Sequence, residues 1–282
     1  GHQYGKAFNA HYQAQGFHPL MVFDGMTGDC LKVELRAGNV YTSRNIVSFI
    51  GPLLSHYQKR FTSSYRIVPG DSGFAHKELY KLCETLNTNY VIRLKANATL
   101  YRLAKEVMDV FWEECSLQYS QQFYGEFEYQ AKSWDRPRRV IVQVRRKAGE
   151  LIPDYLFLVT NMETRPEMVV SLYAKRGTME NYIKECKNGF RMDKVSHKYW
   201  MTNVNRIQLV VLAYNLINGF RRLTLPHEFS KMQIETLRTK LIKIAAKRVK
   251  QSRRIVFKLC SHYPYKEIFH HCLKTIQLIQ LE

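Results

Sequence analysis

The amino-acid sequence predicts an α/β protein with a mixed sheet and flanking helices, and three observations lead there. Apolar runs of strand length alternate with amphipathic stretches of helical period between residues 17 and 94. Turn and capping residues fall between them, as at Pro69-Gly70 and Ser72. Hydrophobic residues make up 45% of 282 positions. That is enough to bury a substantial core, and it favours one main domain with an insertion over two independent domains.

Taken in order, residues 17–24 and 30–35 read as antiparallel strands, joined by the hairpin signal Phe23-Asp-Gly-Met-Thr-Gly-Asp29. Ser43 to Tyr57 follows as a helix, and residues 65–70 form a short strand closed by Pro69 and Gly70. Asp71 stands at the carboxyl end of that strand, with Ser72 available to cap an amphipathic helix over 74–86. A carboxylate at such a strand end points into the crevice where open α/β sheets bind ligands. Asp-Ser-Gly more commonly closes a turn or caps a helix. Residues 90–94 give a further strand and Leu100 to Gln118 a helix; 123–131, 138–147 and 154–160 read as strands. Met201 to Arg222 is a core helix, apolar through Ile207, Val211 and Tyr214, and Ser230 to Val249 reads as a second helical stretch.

The stretch Tyr173 to Lys187 carries the most chemistry. Wound as one α-helix, it sets Tyr173, Arg176, Glu180, Lys184 and Lys187 on one narrow stripe. Met179, Tyr182, Ile183, Cys186 and Phe190 fall on an adjoining apolar stripe. A carboxylate set among cations can hold a metal ion and grip phosphates beside it. A solvated face with weak i,i+4 pairs is the commoner use of such a pattern.

Charge points to polyanions. There are 43 Lys+Arg against 24 Asp+Glu, a net +19, which favours phosphate backbones and salt-dependent binding. No run of about eighteen apolar residues spans a bilayer, so a membrane role is excluded from the expected partners. One basic stretch comprises Arg136, Arg138, Arg139, Arg145, Arg146 and Lys147, beside Trp134. These residues can lie along DNA with Trp134 stacked on an unpaired base, although packing is the ordinary fate of a tryptophan. A second comprises Lys240, Lys243, Lys247, Arg248, Lys250, Arg253 and Arg254, with no acidic residue from Thr236 to Lys266. Such a stretch is often merely solvated or drawn to a membrane surface, and it can also lie along a DNA backbone. The cysteines Cys30, Cys83, Cys115, Cys186, Cys260 and Cys272 are scattered and expected to be reduced. Cys260, His262, His270, His271 and Cys272 match no standard zinc spacing.

The spacing Tyr173, two residues, Arg176, three residues, Glu180, six residues, Lys187 resembles the signature of DDE transposases of the IS4-like superfamily. Residues 65–74, Tyr-Arg-Ile-Val-Pro-Gly-Asp-Ser-Gly-Phe, resemble the segment around that family's second catalytic Asp. Further likeness, closest to the IS1380 type, includes Phe17-His-Pro-Leu-Met-Val-Phe23, Leu35-Arg-Ala-Gly-Asn-Val40, Ile92-Arg-Leu-Lys-Ala-Asn97, Lys187-Asn-Gly-Phe190 and Gln208 to Arg222.

The resemblance implies an RNase H-like (retroviral integrase-type) mixed sheet with a β-rich insertion between the second Asp and the Glu. Residues 1–97 would form the first part of the catalytic domain and 98–165 the insertion. Residues 166–225 would form the rest of the domain, and 226–282 a basic helical C-terminal region. The family's first catalytic Asp lies on a strand before the segment that Gly1 begins, so an N-terminally truncated chain is expected. Asp24 and Asp29, in the hairpin, cannot easily replace it. Asp71 and Glu180 are the implied catalytic residues and metal ligands, with Mg²⁺ or Mn²⁺ as cofactor. Arg176 and Lys187 are implied phosphate clamps and Tyr173 a further contact, with Lys184 helping from outside the signature; Trp134, Arg138 and Arg139 complete the expected DNA contacts. Such an enzyme cleaves DNA and transfers strands during transposition of an insertion sequence. Double-stranded DNA at transposon ends and target sites is its implied partner, and a dimer on DNA its working form. The implied setting is the bacterial cytoplasm at the nucleoid. The alternative is an inactive DNA-binding remnant; a host nuclease of the same superfamily fits the Tyr-Arg-Glu-Lys spacing poorly.

Overall fold

Short apolar runs near the N-terminus pair into two small ribbons. The structure, a computed structural model, describes residues 3–10, 12–112 and 118–280, with only the backbone of 109–112; Cys115 lies outside the described residues. The chain divides into two units, one formed by Gly1–Asn39 with Thr178–Glu282 and the other by Val40–Gly177. In the first, β1 (Ala7–Asn9) pairs antiparallel with β2 (Ala14–Gly16), and β3 (Leu20–Phe23) with β4 (Cys30–Glu34). The β3–β4 turn is built by Asp24, whose Oδ1 accepts from the amides of Met26 (3.0 Å) and Thr27 (2.6 Å). Gly28 closes the turn at φ 74°, where a side chain would meet the Tyr182 ring.

The second unit begins with α1 (Ile46–Arg60), β5 (Ile67–Gly70), α2 (Lys77–Thr85) and β6 (Asn89–Leu94). It continues with α3 (Ala98–Trp112), β7 (Gln121–Tyr129), β8 (Arg138–Arg146), β9 (Asp154–Thr160) and α4 (Pro166–Ala174). Its five strands form one mixed sheet in the order β5-β6-β9-β8-β7. β5 and β6 are parallel, as the α2 crossover requires, and the other pairs are antiparallel. The β-rich stretch within 98–165 therefore continues the sheet of β5 and β6 and does not interrupt it. β6 is central in character: Tyr90, Val91 and Ile92 are fully buried. Val169 and Val170 of α4 cover one face, against Val91, Ile141 and Leu158. On β7, a side chain at Gly125 would crowd Val107 of α3, so glycine there lets the helix lie close.

One polar cluster ties α2, β6 and β8 together. Glu84 accepts from Arg138 through both oxygens (3.0 and 3.2 Å), from the Tyr90 hydroxyl (3.0 Å), and pairs with Arg136 (2.8 Å). The Arg138 guanidinium also lies 5.2 Å from the Tyr80 ring centre and 5.6 Å from that of Trp134, and donates to Asp135 (3.2 Å).

The first unit resumes with α5 (Gly177–Asn188) and the long α6 (Trp200–Thr224). Then come the short α7 (Ile234–Leu237), running on as a π-turn over Arg238–Ile242, then β10 (Ala246–Gln251), β11 (Arg254–Leu259) and α8 (Lys266–Leu278). α6 anchors the β3–β4 hairpin: Asn215 exchanges two hydrogen bonds with the backbone of Cys30 (2.8 and 2.9 Å), and Tyr214 donates to Gly28 O (2.9 Å). Asp29 of the same hairpin pairs with Arg222 (3.1 Å).

The expectation of a helix from Ser230 to Val249, within a helical C-terminal region, is corrected. The helical stretch ends at Ile242, residues 246–259 form an antiparallel hairpin, and helix returns only at α8. On a helix Lys243 and Lys247 would sit at the repulsive i,i+4 spacing. In the hairpin alternate residues go to opposite faces, and Val249, Ile255 and Val256 take the extended backbone they favour. Among the described residues no helix is long and apolar enough to cross a membrane.

The Glu84 cluster makes stability depend on acid. Burial raises the Glu84 carboxyl, but hydrogen bonds from Arg138 and Tyr90 and the charges of Arg138 and Arg136 outweigh it, holding the group below its ordinary 4.5. A depressed carboxyl stabilises the fold above its ordinary value, and the contribution is lost as pH falls through the depressed one. Thermal melting of the parent should therefore fall steeply below pH 4.5, whereas Glu84→Gln should start lower and fall less. Parallel curves for the two proteins would show that Glu84 does not carry this dependence.

Candidate functional site

Asp71 follows directly from the end of β5. Its backbone is extended (φ −78°, ψ −178°), its Oδ1 accepts from Gly73 N–H, and it caps a 3₁₀ turn over Ser72–Phe74. Helix α2 starts only at Lys77, later than the helix expected from residue 74. A side chain at Gly73 would crowd this approach, because a Cβ there would stand 3.0 Å from Oδ1 and 3.1 Å from Thr42 Cβ. With Oδ1 engaged at 2.9 Å, Oδ2 makes no hydrogen bond or ion pair among the described residues. Asp71 is half-buried. The capping role and the strand-end position thus fall on the same carboxylate.

The continuous helix expected from Tyr173 to Lys187 is corrected. α4 ends at Ala174, Lys175 and Arg176 form a turn, and α5 starts at Gly177. Glycine is a poor helix former, and the Lys175 and Arg176 amides lie at a helix end, Arg176 N–H donating to Tyr173 O (2.9 Å). Tyr173 and Arg176 accordingly stand before α5, with the Arg176 guanidinium 5.8 Å from the Tyr173 ring centre. Glu180 occupies the first turn of α5, where the helix dipole favours a negative charge, and Lys187 the last, where it favours a positive one. Glu180, Lys184 and Lys187 are exposed on one face. Cys186, on the opposite side, is fully buried. The unit boundary falls between Gly177 and Thr178. Asp71, Tyr173 and Arg176 therefore belong to one unit, and Glu180, Lys184 and Lys187 to the other.

What holds α5 was not read from the sequence. Glu185 accepts two bonds from the Arg221 guanidinium of α6, one of 3.1 Å through Nη1 and a second through Nη2, and one from Ile234 N–H (2.8 Å). The side chains of Arg221 and Glu185 are only 9% and 12% exposed. The available signal was helical phase, since Glu185 lies off the cationic stripe and beside the buried Cys186. Gly189 closes the helix against α7, where a side chain would overlap Ile234 Cγ2.

The basic stretch around β8 is corrected in part. Trp134 is buried, edge-on to Tyr80 and Tyr129, and Arg138 is buried against Glu84. Neither presents a surface to DNA. Arg139 pairs with Glu126, Arg136 with Glu84, Arg145 with Asp154 (3.8 Å) and Lys147 with Glu150 (3.2 Å). Arg146 is buried. Acidic neighbours, from Glu150 three residues beyond Lys147 to the distant Glu84, consume most of this charge.

Carboxylate oxygens suit Mg²⁺, which keeps several waters and binds through one or two carboxylates together with substrate phosphates. Asp71, with one oxygen fixed by an amide and the other without a partner, fits such a ligand. Among the described residues no group of three or more His, Cys, Asp or Glu is arranged to hold a metal. Burial pushes the thiols of Cys30, Cys83 and Cys186 up to about 12, which keeps them protonated.

A family model described as transposase DDE domain group 1 matches residues 1–281. No curated protein matches the chain.

The support of α5 is testable without substrate. Arg221→Met leaves Glu185 buried without its cation and should cost about 3–5 kcal/mol in denaturant unfolding, with much of the loss recovered in Glu185→Leu/Arg221→Met. A single-variant loss below about 1 kcal/mol would show that the pair does not hold the helix.

Proposed function

The chain belongs to the transposase DDE domain family, group 1, and we propose that it cleaves and rejoins DNA during transposition of an insertion sequence. Membership implies transposition-related DNA cleavage and a divalent metal. The finer reading, an IS4-like transposase closest to the IS1380 type with an RNase H-like catalytic fold, is supported by the Tyr173, Arg176, Glu180, Lys187 spacing. That spacing, within a chain matched over residues 1–281, is the observation that carries the proposal.

The chemistry is phosphoryl transfer. An oxygen nucleophile attacks phosphorus in line while negative charge builds on the leaving oxygen. Mg²⁺ or Mn²⁺, when bound, supplies activation of the nucleophile and stabilisation of the leaving oxygen. Asp71 and Glu180 are each proposed as carboxylate ligands. The Gly73 amide that engages Oδ1 of Asp71 fixes the carboxylate's orientation, which supports this role. Arg176 is proposed to grip a phosphate with its planar fork, steadied by the Tyr173 ring. Lys187, with Lys184 beside it, acts as a point charge on a neighbouring phosphate. Water attacks first at the element's end, releasing a 3′-hydroxyl. That hydroxyl then attacks target DNA, displacing one strand end as it forms the new phosphodiester. Joining two ends calls for a dimer on double-stranded DNA.

Glu180 is exposed on α5, so Glu180→Gln should leave the fold intact and reduce Mg²⁺- or Mn²⁺-dependent nicking of supercoiled DNA to background. Unchanged nicking would remove Glu180 from the mechanism. Tight binding without nicking by the parent would support a DNA-binding remnant instead. Arg176→Ala and Lys187→Ala should each lower the log–log salt slope of duplex binding by about 0.9; unchanged slopes would mean that neither touches phosphate.

A further inference from the structure

The β10–β11 hairpin carries Lys247, Arg248, Lys250, Arg253, Arg254 and Lys258, and no acidic residue. All six are exposed, and none forms an ion pair among the described residues. The contrast with the β8 region is direct: Arg136, Arg139, Arg145 and Lys147 each have a carboxylate partner. Within the hairpin Lys247 stands directly opposite Lys258, an arrangement that destabilises a ribbon unless an anion lies between or beside the charges.

The register separates two faces. Lys247, Val249, Gln251, Arg254, Val256 and Lys258 share one; Ala246, Arg248, Lys250, Ile255, Phe257 and Leu259 share the other. Phe257 and Leu259 border a hollow of about 340 Å³ that Phe269 of α8 also lines. Phe257 and Leu259 thus lie on the hollow's side of the hairpin, though both remain exposed, and Lys247, Arg254 and Lys258 lie on the other side.

We propose that the β10–β11 hairpin is a DNA-binding ribbon that lies in the major groove of a duplex, with Lys247, Arg254 and Lys258 on the phosphates. Two strands lie about 4.8 Å apart, and six residues extend about 20 Å. A groove about 12 Å wide admits such a ribbon. At about 3.4 Å per base pair on each strand, it spans roughly six base pairs. Half-buried Val249 and Val256 at its centre offer short side chains that do not obstruct entry. An anionic membrane would match the charge, but on the face of Lys247, Arg254 and Lys258 the apolar side chains are Val249 and Val256, both short and half-buried. The inference rests on the reading of double-stranded DNA as the substrate.

The test compares the parent with Lys247→Gln/Arg254→Gln/Lys258→Gln and with a control, Arg136→Gln/Arg145→Gln/Lys147→Gln. Binding to a generic duplex is measured against salt concentration, and binding to phosphatidylserine vesicles in parallel. The hairpin variant, altered only at exposed positions, should retain the parent's circular dichroism and lose about 2.7 from the log–log slope, at about 0.9 per phosphate contact. The control should lose less than one third of that. Equal slopes for parent and hairpin variant would overturn the ribbon while leaving the transposase reading intact. Loss of vesicle binding with unchanged duplex binding would overturn it in favour of a membrane surface. Failure of the parent to bind any duplex would defeat the transposase reading itself.

Discussion

A buried carboxylate must be given a cation and hydrogen bonds, or the fold around it fails. Each unit of this protein is organised around one such obligation. In the sheet unit Glu84 of α2 is met by Arg138 of β8 and Tyr90 of β6, which joins a crossover helix to two strands of its sheet. In the other, Glu185 of α5 is met by Arg221 of α6 and by the amide that opens α7. Both arginines bind through two nitrogens, so the pairing fixes orientation as well as distance. Hydrophobic packing brings these elements near each other; the ion pairs specify which side of each helix faces inward.

That constraint sorts the chain's excess of positive charge. Arg138 and Arg221 are structural, and Arg136 and Arg139 are spoken for by acidic neighbours. The net +19 is therefore not spread evenly in effect. Among the exposed cations without a carboxylate partner in the described residues are those of the β10–β11 hairpin, which carries no acidic residue.

Much of the fold was legible because periodicity and punctuation agree. The strands around residues 67–70, 89–94, 121–129, 138–146 and 154–160 fall close to where alternation and turn residues put them, and Asp71 lies just past Gly70, at the end of its strand. Three features were hidden, each for a physical reason. The break at Lys175 and Arg176 leaves the apolar and cationic stripes in phase on both sides, so periodicity runs through it. The role of Glu185 depends on a partner 36 residues away, beyond any local window. The C-terminal hairpin was masked by lysine, arginine and alanine, which favour helices until tertiary context overrides them. Trp134 and Arg138 show the converse error, a surface-like composition that distant Tyr80 and Glu84 draw into the core.

The interrupted signature changes what sequence spacing records. On an unbroken helix, one added residue turns everything beyond it by about 100°, so spacing and side-chain direction are locked together. Here the segment bearing Tyr173 and the segment bearing Glu180 are wound separately, with two non-helical residues and a glycine at the seam. A length change at the seam would alter the motif as text while leaving each helix with its own inner and outer faces. Divergent copies of this gene could therefore lose the recognisable spacing and still fold both halves correctly.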